Sequence, residues 1–175
     1  DPGGATPLTF GQTVSGPISA VAQSAAYTIT TAQAADHLLV AFTRLTQTTG
    51  SFSPLLELYD ATGTRLAQGT SGYPDYGILT ATIVQPGPLT LLVTDEGLDG
   101  TGTYELTLQR TNNPANATEV AFGQTVEGAL PNVTALAPYQ FTAQANDTVT
   151  LRFAKTSQTS GSFTPRLALF DTTGT

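Results

Sequence analysis

The chain repeats itself at the spacing of a whole domain. The pentapeptide FGQTV occurs at Phe10–Val14 and again, unchanged, at Phe122–Val126, 112 positions later. Gly50–Thr64, GSFSPLLELYDATGT, returns as Gly161–Thr175, GSFTPRLALFDTTGT, 111 positions later with ten of fifteen residues identical. A period of about 111 residues is too long for a solenoid turn and has the size of a separately cored domain. The sequence thus divides into a complete unit over residues 1–110, a connector over 111–119 and the first half of a second unit over 120–175. The connector is Asn-rich, carries one proline and has no periodic apolar face, as expected of a linker. The two offsets differ by one residue, which falls between Tyr27 and Thr31; a β-bulge in that strand would absorb it.

Both copies alternate apolar and polar residues with period two, the signature of half-buried strands. HLLVAFT places Leu38, Val40 and Phe42 on one face; its counterpart TVTLRF places Val149, Leu151 and Phe153 there. That face stays apolar in both copies and must point inward. The opposite face accepts Thr and Arg, so it meets water. Further strands are expected at 26–30, 55–60, 65–69, 78–84, 89–94 and 103–110. Turn sequences separate them: DATG at 60–63, QPGP at 85–88 and DEGLDGTG at 95–102. Seven or eight short strands in one unit predict an all-β fold, an antiparallel β-sandwich of the jelly-roll or immunoglobulin-like class, used in tandem.

Composition narrows the function. Only 11% of residues are charged and the net charge is −7 with six Lys and Arg, a poor surface for phosphates, so nucleic acid is excluded as a partner. The absence of cysteine removes disulfides, thiolate metal sites and a cysteine nucleophile. No apolar run approaches the roughly 18 residues of a membrane span. A neutral, Thr- and Gly-rich surface without oxidisable sulfur suits an extracellular or cell-surface protein.

The order FGQTVSGPI, YTITTAQAADHLLVAF, PLLELYDATGTRLA, GPLTLLVTDEGLDGTGTYELTL resembles the bacterial pre-peptidase C-terminal domain family. Its landmarks here are Gly16, Tyr27, the LYDATG hairpin, Gly102 and Tyr104. The resemblance implies tandem extracellular β-sandwich modules attached to secreted peptidases and other surface proteins. Many members carry acidic residues where this chain has VAQSAA (21–26), SFSP (51–54) and GTSGYPDYG (69–77); of these only Asp75 remains, which weakens any calcium role inherited from the family.

Candidate sites are few. His37, the only histidine, stands on the wet face without an evident nucleophile or carboxylate to serve, so a general base is not expected. Asp95, Glu96 and Asp99 share one hairpin, and several hard oxygens on a loop suit calcium; a solvated turn needs the same residues for backbone geometry. Tyr73 and Tyr76 flank Asp75 in a Gly/Pro loop, where rigid aromatics would stack on a sugar ring or protein surface, or would cover the sandwich edge. Asn116, Asn132 and Asn146 begin glycosylation sequons. With no nucleophile elbow, phosphate loop or paired inward carboxylates, the expectation is a non-catalytic extracellular structural or assembly module: a spacer, stalk or fibre-forming repeat. The alternative is an accessory domain that targets a secreted enzyme or adhesin to polysaccharide or matrix protein.

The second unit poses a physical question. Without counterparts of residues 65–110, inward residues such as Val149, Leu151, Phe153 and Leu169 have no facing layer, and strand edges stand open. Two arrangements answer it: residues 120–175 belong to a longer repeat array, or a neighbouring identical protomer supplies the missing strands and the protein polymerises head to tail.

Overall fold

Alternation along the sequence converts directly into burial. On Leu89–Asp95 the residues Leu89, Leu91 and Val93 are buried, and those between them are half-buried. Pro54–Tyr59 shows the same pattern, with Leu56 and Leu58 fully buried. The computed structural model describes residues 4–71, 76–159 and 161–175. The first unit contains β1 (Thr6–Pro7), β2 (Thr13–Ile18), β3 (Ala25–Ile29), β4 (His37–Thr49), β5 (Pro54–Tyr59), β6 (Arg65–Thr70), β7 (Tyr76–Thr82), β8 (Leu89–Asp95) and β9 (Thr101–Arg110). Among the described residues there is no helix.

These strands form two sheets, ordered β1-β3-β8-β5-β6 and β2-β9-β4-β7. All neighbours are antiparallel except β1 and β3. Ile29, Leu56, Leu58, Leu91 and Val93 of the first sheet share one core with Leu38, Val40, Phe42, Leu106 and Leu108 of the second. Each such side chain contributes about 1.5–3 kcal/mol on burial, so stacking the two sheets is the main source of stability. The expected antiparallel sandwich is present.

The order of strands interleaves the two halves of the unit. β2 pairs with β9, β3 with β8, β4 with β7 and β9, and β5 with β6 and β8. Among the described residues up to Thr64, only β1 and β3 pair with each other, through Thr6↔Tyr27 and Pro7↔Thr28. The later sequence reproduces that one ladder: β10 (Thr118–Glu119) and β11 (Tyr139–Gln140) pair in parallel through Thr118↔Tyr139 and Glu119↔Gln140. No other strand occurs among the described residues beyond Arg110.

Two sequence expectations need correction. The β3–β8 register runs unbroken over Ala25–Ile29, so the one-residue difference between copies lies in the connection after β3, where no ladder constrains length, and is no bulge within that strand. Register shifts fall instead in β4, between Arg44 and Thr46 and between Gln47 and Thr49. The expected inward face of residues 148–153 is the second correction: they form no strand, and Leu151 and Phe153 are 46% and 51% exposed, because the equivalent strand β4 takes its partners from β7 and β9. The connector is tied to the first unit by side-chain bonds. Asn112 accepts from the His37 amide (3.1 Å) and donates to the Ala35 carbonyl (3.0 Å). Gln109 clasps both backbone groups of Ala115 (2.9 and 3.0 Å). Arg110 lies over the Phe10 ring at 4.5 Å and 3.6 Å from Asp36.

Candidate functional site

The loop after β8 is organised by one carboxylate. Asp95 is buried at the end of its strand, and the chain must turn tightly there to enter β9. Its Oδ1 accepts from the Ser53 amide (2.8 Å); its Oδ2 accepts from the amides of Asp99 (2.9 Å) and Gly100 (2.8 Å). These bonds satisfy backbone donors that burial would otherwise orphan. Asp95, Glu96 and Asp99, candidates for either a calcium loop or a turn, divide their duties: Asp95 holds the turn, and the Glu96 amide donates to the Ser53 carbonyl (2.9 Å). Among the described residues, no three His, Cys, Asp or Glu side chains converge on a position that would hold a metal ion.

Of the candidate stacking residues, Tyr73 and Asp75 lie outside the described residues. Tyr76 opens β7, the edge strand of its sheet, opposite Thr43. It is 39% exposed. Partial burial raises its phenol above the ordinary tyrosine value, and the charge of Arg166 pulls the other way. It thus has an accessible edge beside a cationic side chain from the second copy.

His37 packs where the two copies meet. Thr82 Oγ1 lies 3.3 Å from its Nδ1 and 3.4 Å from its Nε2, and the Thr111 amide donates to its carbonyl (2.9 Å). The adjacent Asp36 carboxylate is engaged elsewhere, accepting from the Gln33 amide (2.8 Å) and lying near Arg110. Among the described residues the imidazole's hydrogen-bond contact is the Thr82 hydroxyl, while a nucleophilic triad would need a third, orienting group.

Three of the landmark residues, Gly16, Tyr27 and Tyr104, gather at one place in the sandwich. Tyr27 of β3 and Tyr104 of β9 share a buried hydroxyl–hydroxyl bond of 2.8 Å across the sandwich. Gly16 faces Tyr104 in register; a Cβ there would stand 2.9 Å from the Tyr104 hydroxyl, so only glycine leaves room. Burial, and then the bond to Tyr27, push the Tyr104 phenol far above its ordinary value. This is a packing device with no access for a reactant.

A polar contact that the sequence reading missed joins the copies. Thr134, in the loop before β11, is 1% exposed. Its hydroxyl donates to Glu105 Oε1 (2.7 Å) and lies 3.0 Å from Thr107 Oγ1, which is itself 2.7 Å from Thr13 Oγ1. The signal was present in the repeat: Thr134 stands where the first copy has Ala22.

No protein-family model matches the chain, and no curated protein matches it significantly. Among solved structures, the pre-peptidase C-terminal domain of a collagenase from Bacillus anthracis is similar, with a TM-score of 0.50 and 19% identity over 60% of this chain and 94% of that domain. At that identity the likeness shows the fold alone. The chain is thus all-β, and the 60% of it that is matched is a sandwich with the fold of a pre-peptidase C-terminal domain.

Proposed function

We propose that this chain is a non-catalytic structural module of the pre-peptidase C-terminal kind, serving as spacer or assembly element of a larger secreted or surface protein. One observation carries the reading: the side chains best suited to chemistry are committed to the fold. Asp95 ties a turn, Asp36 holds the loop before β4 and pairs with Arg110 of β9, and Tyr27 and Tyr104 close the sandwich. The fold shared with a domain of a collagenase fits a part that accompanies an enzyme. The partners that suit it are neighbouring repeats. Residues 1–175 carry the first-half sequence twice and one set of β6–β9, so exchange between copies would move the complement without adding pairs. Purified protein should leave peptide and glycan substrates intact; turnover at ordinary enzyme rates would overturn the reading.

The second reading is an accessory binding domain for polysaccharide or extracellular protein, acting through Tyr73, Asp75 and Tyr76. Exposed Tyr76 at a sheet edge favours it. On a glycan and matrix-protein array, Tyr73→Ala and Tyr76→Ala should abolish any signal; binding indifferent to both removes this loop.

A further inference from the structure

We propose that the outer face of the β2–β9 pair is the seat for the next repeat, and that Glu105 and Thr134 lock consecutive repeats at a fixed angle. This rests on reading the chain as an array of modules. The outward residues of β9 are Glu105, Thr107 and Gln109, which alternate with the core residues Tyr104, Leu106 and Leu108. Such polar residues ordinarily face water. Here Thr107 and Gln109 are buried. The 129–138 segment of the second copy covers them, leaving a cleft of about 330 Å³ lined by both copies.

The contact is built from directional bonds. Glu105 Oε1 accepts from both the hydroxyl (2.7 Å) and the amide (3.3 Å) of Thr134. Bonds to a charged acceptor are stronger than neutral ones, and burial of Thr134 shields them from water. The threonine relay from Thr134 through Thr107 to Thr13 extends the grip onto β2. A second contact lies elsewhere on the unit: Thr111 Oγ1 donates to the Gly174 carbonyl (2.9 Å), and a Cβ at Gly174 would stand 2.6 Å from His37 Cβ. The connector itself is fixed to the first unit by Gln109 and by its own Asn112. Two separated attachments, at Glu105–Thr134 and at Thr111–Gly174, restrict rotation between the copies where a linker alone would not.

The repeat itself points to selection of this joint. The loop Ser19–Ser24 and its counterpart Pro131–Leu136 differ at the seated position, where exposed Ala22 becomes buried Thr134. A hydroxyl stands at that position in the copy whose loop has Glu105 to receive it. Arrays joined this way are stiff, with a set turn between modules.

Because the chain has no cysteine, introduced cysteines label uniquely. Spin labels at Gln85→Cys and Glu127→Cys, both exposed positions, report the distance between copies in the full chain. A single narrow distance distribution is expected, retained in Thr134→Ser, with the narrow peak lost in the Glu105→Ala/Thr134→Val double variant. Amide exchange at Thr134 should be slow in the parent and fast in the double variant. A broad distribution in the parent, or a narrow one surviving the double variant, would overturn the lock. Either result would leave a non-catalytic module with a flexible joint, since that reading is tested separately by substrate turnover.

Discussion

Gly50–Thr64 and Gly161–Thr175 are nearly the same peptide in two different circumstances. Both make the same turns. Asp60 Oδ1 accepts from the amides of Thr62 and Thr64, each at 2.9 Å; Asp171 Oδ1 accepts from those of Thr173 and Thr175 at 2.8 and 3.2 Å. Gly63 and Gly174 take left-handed φ of 83° and 86°. Upstream, Arg44 donates to the Phe52 carbonyl and Gln47, and Lys155 repeats both bonds with Phe163 and Gln158. The strands between the turns diverge. Leu56 and Leu58 are fully buried in a ladder, whereas Leu167 and Leu169 are 49% and 61% exposed with no ladder. Turns are closed by atoms within a few residues of each other, so they form wherever their sequence occurs. Strands need a partner, and in this topology the partners of β2, β4 and β5 all come from residues 65–110.

The strongest way to break that comparison is to supply the partners. Appending a second copy of Arg65–Arg110 directly after Thr175 recreates the Thr64–Arg65 junction. Amides of residues 149–170 should then become protected from exchange, and a second cooperative unfolding transition should appear, driven by about 1.5–3 kcal/mol for each large side chain newly buried. If those amides stay unprotected, sequence differences between the copies, and no want of partners, set them apart.

Matched core substitutions come next. Phe42→Ala removes a fully buried ring between the sheets and should cost about 3–5 kcal/mol in chemical denaturation. Phe153→Ala, at the equivalent but 51% exposed position, should change stability by no more than about 0.5 kcal/mol. Equal losses would show that the second copy has a core of its own.

A smaller effect belongs to the tyrosine pair. Tyr104→Phe strands the Tyr27 hydroxyl in the core, for about 1–3 kcal/mol, while Tyr139→Phe should be neutral. Tyr104 is also a pH probe. Its phenol is raised in the folded state, so the native state holds a proton that the unfolded chain releases first. Its contribution to stability is complete below about pH 10, the unfolded tyrosine value, and is lost as pH rises beyond it. The melting temperature should therefore fall less steeply above that pH in Tyr104→Phe than in the parent; identical slopes would mean that Tyr104 does not report the core.

The subtlest test concerns what the copies share. Asp60 and Asp171 are both held below the ordinary aspartate range, first by the hydroxyls of Thr62 and Thr173 and then by backbone amides of the turn. A depressed carboxylate stabilises above its unfolded pKa, and that stability is lost as pH falls through the folded value. Carboxyl NMR titrations of the two should nearly superimpose, although one turn caps a sheet and the other does not. Divergent curves would show that the sheet shapes the turn.

Much of the fold was legible in the residues. Leu38, Val40 and Phe42 announced an inward face by alternation and by their apolar counterparts, and all three are buried. The DATG turn announced itself through the two residue types that close it. The landmarks Gly16, Tyr27 and Tyr104 were recognisable, but that two tyrosines 77 positions apart share a hydroxyl bond was not, since register between distant strands has no local signature. Asp95 could be read as a turn residue or a calcium ligand, because sequence shows a carboxylate without showing the amides of Ser53, Asp99 and Gly100 that it accepts from.

The sequence by itself determined the strands of the first unit, the turns on both sides of the connector and the recurrence of its own segments, because period-two alternation and turn chemistry act over a few residues. Only the tertiary structure decided which strands meet. The interleaving of β1–β5 with β6–β9 makes one half of a unit unable to form its sheets without the other. The seat of Thr134 on Glu105 was decided there too. Pairing and docking depend on surfaces brought together from far apart in the chain, and no short stretch of residues carries that information.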